Sequence, residues 1–196
     1  MSEPQQFEEK LESVSDPLAV LPAVIIGYHI PPLGSTDDYA LAMAALVLAD
    51  GDSSRFYRKF VYENNWIAGL VAGSNHYRGP QLFRVWFQIQ QNVPTSTILE
   101  AMENELDRLK DSGIAEAELE KARNQVAHRL VAQMERVSNV GELLAQYSSF
   151  FDDPNLANRQ LERFLSVSKE QIQLAVQRYL SRENRTVIVV EPGASE

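Results

Sequence analysis

Between positions 83 and 90 the side chains alternate without a break. Phe83, Val85, Phe87 and Ile89 fall on one side, and Arg84, Trp86, Gln88 and Gln90 on the other. A period of two puts these sets on opposite faces of one strand, so one face is core and the other is wet or lines a cavity. Such a strand belongs in a sheet covered on one face only. Ala23 to Ile30, apolar, rich in β-branched residues and closed by Pro31-Pro32, reads as a second strand. Trp66 to Ala72 predicts a third, followed by a polar hairpin loop from Gly73 to Pro80, and Thr186 to Val190 predicts a last one.

Helical patterns fill the rest. Ser35-Thr36-Asp37-Asp38 offers a hydroxyl cap and first-turn carboxylates to an apolar helix from Tyr39 to Ala49, and Arg55 to Glu63 is a short helix. Thr95 or Ser96 is expected to cap a helix carrying Ile98, Met102, Leu106 and Leu109, which Gly113 stops. Glu116 to Val137 carries Leu119, Ala122, Val126, Leu130 and Met134 on one stripe, and Asn139 to Phe150 follows. Asp153-Pro154 opens another helix, and Ser168 with Gln171 forms a capping box before Ile172, Val176, Tyr179 and Leu180. Strand, helix, two strands, a block of helices and a strand make a segregated α+β fold, a mainly antiparallel sheet with helices packed on one face. Residues 1–20 read as an acidic lead-in or linker, 21–192 as a single domain and 193–196 as a tail.

Most chemistries are excluded by what is missing. Eighteen Lys and Arg against 27 Asp and Glu give a net charge of −9 with no basic patch, which repels a phosphate backbone and excludes nucleic acid as partner. The absence of cysteine removes thiolate zinc sites, iron–sulfur clusters, cysteine nucleophiles and disulfides. His29, His76 and His128 are expected in a strand, a loop and a helix, none has a second histidine three or four residues away, and neither H-E-x-x-H nor H-x-x-E-H occurs. No nucleophile elbow or phosphate-binding glycine loop is present. Ser53-Ser54 reads as a helix cap, and Glu116, Glu118 and Glu120 beside Lys121 and Arg123 as a solvated, ion-paired face. No apolar run approaches the ~20 residues of a membrane span. MSEPQQFEEK is polar and acidic, so no signal peptide is expected in this chain, and periplasm and cytoplasm both stay open for its parent. What remains is a surface: Arg84 and Trp86 on the non-core face, with His76 and Arg78 in the adjoining loop, as candidate contacts for an extended peptide or an interface.

Three stretches, in order across Leu21 to Pro192, resemble one family. Gly51-Asp52-Ser53-Ser54-Arg55-Phe56-Tyr57 is similar to the Ser-Arg-Leu segment that follows the first helix in pitrilysin-like (insulinase-type) zinc metallopeptidases. Leu109 to Ile114, with Glu116, Glu118-Leu119 and Ala122-Arg123, resembles their G-[IL]-x-x-x-E-L stretch, and Val167 to Glu170 through Tyr179-Leu180 to Val187–Val190 their closing helix and strand. The likeness is to the C-terminal member of the paired domains in these peptidases, a family that includes mitochondrial processing peptidase and respiratory-complex core proteins. It implies a metallohydrolase-type α+β domain, two of which form a half, and two halves that enclose a peptide chamber. Zinc is bound by H-x-x-E-H in the first domain of an active half, so the resemblance implies no catalytic residue and no metal ligand here, with zinc in a neighbouring domain or partner.

Many such second domains contact substrate through an Arg and a Tyr seven residues later. Counting without gaps from Ser54-Arg55, those positions are Val61 and Ala68, which cannot donate a hydrogen bond, and the nearby Arg58 and Tyr62 are four apart. The substrate pair is therefore expected to be lost, which favours a heterodimer over a homodimer or one long chain. The leading expectation is a non-catalytic second domain of a zinc-dependent oligopeptidase or processing peptidase, itself inactive in isolation, walling the chamber and mediating association with the other half. The alternatives are a structural scaffold from a degenerate, inactive homologue and, third, a stand-alone enzyme using His76, Arg78 or Arg84.

Overall fold

The computed structural model describes residues 6–75 and 77–193. Its sheet is built from β1 (Lys10–Asp16), β2 (Ala23–Ile30), β3 (Ile67–Ser74), β4 (Gln81–Ile89) and β5 (Arg185–Pro192), in the order β1-β5-β2-β4-β3. The pairings are antiparallel except β1 with β5, which is parallel. Alternation decides which face is buried. Phe83, Val85, Phe87 and Ile89 of β4, with Val24, Ile26 and Tyr28 of β2, are sealed beneath the helices, and the intervening residues stay at least partly open.

The helical layer lies on that buried face. In α1 (Thr36–Ala49) the Ser35 hydroxyl accepts from the Asp38 amide at 3.2 Å, and an Ala/Leu-rich surface is buried nearly all round. Next come α2 (Arg55–Tyr57) and one π-helical turn (Arg58–Glu63), whose wider winding lets Phe56 and Phe60 both reach the core and meet Phe87 at 5.7 and 5.1 Å. Then follow α3 (Thr95–Ser112), α4 (Glu116–Met134), α5 (Val137–Phe151), a 3₁₀ turn (Pro154–Arg159), α6 (Gln160–Leu165) and α7 (Lys169–Tyr179). Gly113 ends α3 at φ +69°, and the Ser168–Gln171 capping box opens α7. Leu143, Tyr147 and Ala157 form a second small core under α5.

Several expectations needed correction. Neither Thr95 nor Ser96 caps α3, because Pro94 holds the extended N-cap position without a side-chain bond. The stripe on α4 leaves the core at Met134, where the helix stops short of Val137. Ser54 stands at the N-cap of α2 but makes no capping bond, and its buried hydroxyl has no partner. Within the acidic lead-in, residues 10–16 form the edge strand β1, which side-chain pattern could not reveal because nearly all its residues are exposed.

β1 is held instead by its backbone ladder to β5 and by charge. The buried Arg185 guanidinium donates from Nε to Glu9 Oε1 at 2.6 Å and pairs through another nitrogen with Glu103, while Arg182 donates to Glu9 Oε2 at 2.9 Å. Burial acts to raise the Glu9 carboxyl, but hydrogen bonds from Arg185 and Arg182 outweigh it and hold the group below its ordinary value. Burial pushes the neighbouring Tyr28 phenol up to about 12. The connection 17–22 passes over the end of β5 to reach β2, and the Gly193 amide donates to the Asp16 carbonyl at 2.9 Å.

Candidate functional site

The uncovered face of the sheet has a definite chemical grain. Strand register aligns Glu12, Ile188, Ile25, Trp86 and Val71 across all five strands. Ile188, Ile25 and Val71 are 36%, 37% and 62% exposed, so an apolar row runs across the middle. One flank reads Thr186, Gly27, Arg84 and Gly73, the other Val190, Ala23, Gln88 and Gly69. Gly27 and Gly73 on one flank, and Ala23 and Gly69 on the other, carry little side chain beside that row. Trp86 leans over Gly69, where a Cβ would lie 2.9 Å from the indole Cζ3. Register slips between Ile67 and Gly69, and this bulge sets which residue of β3 lies under the ring.

Arg84 and Trp86 thus share one face, as the alternation predicted. The Arg84 guanidinium donates to Asn75 Oδ1 at 2.6 Å, so it is drawn toward the hairpin end. Arg78 is exposed in the loop joining β3 to β4, and His76 lies outside the described residues. Beyond β3 no further strand pairs among the described residues, which leaves main-chain donors and acceptors along an edge free of charged side chains. This surface can receive apolar side chains and pair with extended backbone.

The other residues singled out by sequence have structural surroundings. Val61 is half-buried in the π-helical turn against the main core, and Ala68 is exposed on β3 at the bulge. Tyr62, 64% exposed, meets Tyr57 edge-to-face with centroids 5.4 Å apart, and an Arg58 nitrogen lies 4.0 Å from Glu63. Arg55 donates from Nε and a terminal nitrogen to the two oxygens of Glu118, both at 2.8 Å, and to the Gly113 carbonyl at 3.0 Å. The Ala115 amide donates to the same Glu118 carboxylate at 2.8 Å. Burial would raise the Glu118 carboxyl, but these donors prevail and hold it below its usual range. Glu118 is therefore no part of a solvated face on α4. Its neighbours turn inward as well, Lys121 donating to the Asp50 carbonyl at 3.1 Å and Arg123 to the Val167 carbonyl at 3.0 Å. The Arg55–Glu118 pair was missed because nothing local to either residue marks it.

His29 lies on β2 opposite Leu82, and His128 is exposed on α4. Among the described residues no group of three or more His, Cys, Asp or Glu is placed to hold a metal ion, so these residues do not fit a zinc ion. No helix among them is long and apolar enough to cross a membrane.

Sheet, one-sided helices and the joint at Arg55 define an α+β domain with no metal cluster among its described residues. The chain belongs to the peptidase M16 inactive domain family, whose profile matches residues 2–126. It is 22% identical over 192 residues to the zinc protease PqqE of Helicobacter pylori (strain ATCC 700392 / 26695), covering 98% of this chain and 43% of that protein. A crystal structure of a protease from Helicobacter pylori superposes with a TM-score of 0.90 at 20% identity, over 98% of this chain and 46% of the other. The inactive peptidase domain of a candidate zinc protease from Bordetella parapertussis gives 0.81 at 25% identity, over 90% and 93%. The chain thus spans less than half the length of the Helicobacter relatives and nearly all of the Bordetella domain.

Proposed function

We propose that the chain is the non-catalytic second domain of a zinc-dependent oligopeptidase or processing peptidase, forming part of the wall of a peptide chamber and joining the other half. The observation that carries this reading is the uncovered sheet face, whose apolar row and uncharged β3 edge suit extended polypeptide. Arg84 and Trp86 on that face, with His76 and Arg78 of the adjoining loop, are the proposed peptide contacts. Zinc is supplied by a neighbouring domain or a partner chain. Val61 and Ala68 offer no donor in place of the Arg/Tyr pair, so the pair comes from the other half, which favours a heterodimer.

The assembled parent, supplied with zinc, should cleave oligopeptides and lose that activity to a chelator. A complex that leaves peptides intact with zinc present overturns the reading. The purified chain alone should hydrolyse nothing, and zinc-dependent cleavage by it is an equally decisive contrary result.

A further inference from the structure

We propose that α5 and the 3₁₀ turn after it, residues 137–159, form a hinged cover that lifts from the body of the domain as one piece. Its two parts hold each other. Asp152, left-handed at φ +56°, turns the chain back at the end of α5, and the Asp153 carboxylate accepts from the Asn155 amide at 3.0 Å and from Arg159 at 3.3 Å. Leu143 and Tyr147 of α5 close with Ala157 of the turn into a small core of their own, apart from the main one. Phe151 packs beside it, its ring centre 5.4 Å from that of Tyr147.

Attachment to the body is slight by comparison. α5 buries two of its fifteen residues, where α1 buries ten of fourteen. Beneath α5 lies a cleft of about 350 Å³, with Ala42 and Ala45 of α1 and Val126 and Leu130 of α4 on one side and Leu143 and Tyr147 on the other. Side chains that face such a space forgo the dispersion contacts that would bind the helix down. Among the described residues no ion pair joins the segment to the rest of the chain, and the one that it contains, Arg159 with Asp153, is internal. Two contacts act as latches. Phe151 lies over Gly34, where a Cβ would meet the ring at 3.1 Å, and the Tyr147 and Tyr39 hydroxyls are hydrogen-bonded to each other.

Both ends of the segment are jointed. The chain is extended at Arg136 (φ −109°, ψ 124°) between α4 and α5, and the 3₁₀ turn gives way to α6 at Gln160. A unit with its own core, few ties and a break at each end opens locally, well below the cost of unfolding the whole domain. The cleft also reaches Gly73 and Ser74 at the hairpin end of β3, so lifting the cover widens the space beside that edge strand and bares the apolar flanks of α1 and α4. The cover needs no ligand and no partner domain, and it stands whether or not the peptide reading above holds.

Hydrogen–deuterium exchange on the full chain tests this. Hydrogen-bonded amides of α5 should exchange at least about tenfold faster than those of α1 and α7, in step with the amides of the 3₁₀ turn. Tyr147→Phe, which keeps the ring and drops the hydroxyl, should speed exchange across both α5 and the turn by about threefold or more and leave α1 and α7 unchanged. Leu143→Ala should do the same more strongly, and Tyr147→Phe carries the test if the larger truncation does not fold. Four outcomes overturn the cover: α5 amides as slow as those of α1, variants that exchange like wild type, acceleration confined to α5 without the turn, and acceleration spread equally over α1 and α7, which would make the domain one cooperative unit.

Discussion

Arg55 grips both carboxylate oxygens of Glu118 across 63 positions of sequence, with each nitrogen 2.8 Å from its oxygen. Planar guanidinium and carboxylate meet in parallel, the geometry that makes charge-assisted pairs strongest. The pair joins α2 to the first turn of α4 and is only partly open to solvent. Arg55→Ala or Glu118→Ala should each cost about 1–3 kcal/mol, since either leaves a half-buried charge without its partner. Urea unfolding of both single variants and the double variant would reveal the coupling. Strictly additive losses mean that the two side chains do not act as a pair.

Acid should find the same joint. Glu118 and Glu9 titrate below the ordinary 4.5 in the folded chain. A depressed folded value means that the stabilisation is present above about pH 4.5 and fades as pH falls through the folded value. Stability should thus drop more steeply between about pH 5 and pH 3 in the wild type than in Glu118→Gln. Unfolding curves across that interval with equal slopes for the two proteins would remove Glu118 from the account.

Gly69 is held small by Trp86. Gly69→Ala sets a methyl 2.9 Å from the indole, too close for any side-chain contact, so the ring or the strand must give way. The expected cost is about 1–3 kcal/mol, with a change in tryptophan fluorescence. Trp86→Leu introduced beside it should recover part of the loss. No recovery would mean that the strain arises in the β3 backbone and not under the ring.

If the open face meets peptide, Trp86→Ala in the assembled parent should raise KM for an oligopeptide about tenfold with kcat within about twofold. An unchanged KM in a complex that is folded and active would take Trp86 out of peptide contact.

Sequence pattern revealed the elements whose side chains are buried and little else. β2 and β4 were legible because a core face writes a period of two into the chain, and α7 because its capping box is local. β1 was illegible for the opposite reason: backbone pairing and a distant ion pair hold it, and neither leaves a mark on residues 10–16. At the candidate site, Arg84 and Trp86 followed from alternation alone. The partners across the face, Gly69 and Val71, depend on a bulge that shifts β3 by one residue, and strand order that brings Ile188 beside Ile25 is a long-range property. Glu118 misled because Lys121 and Arg123 stand near it in sequence while its partner stands far away.

The order β1-β5-β2 sets a schedule for folding. β5, the last of these five strands in sequence, lies between the first two, β1 and β2. Until residues 185–192 have left the ribosome, β1 has no neighbour to pair with and β2 keeps one side bare. The sheet therefore closes late, through contacts of great sequence separation, which slows folding relative to a fold of local pairings. It also ties two distant stretches of the domain together: a cut that removes β5 frees β1 as well.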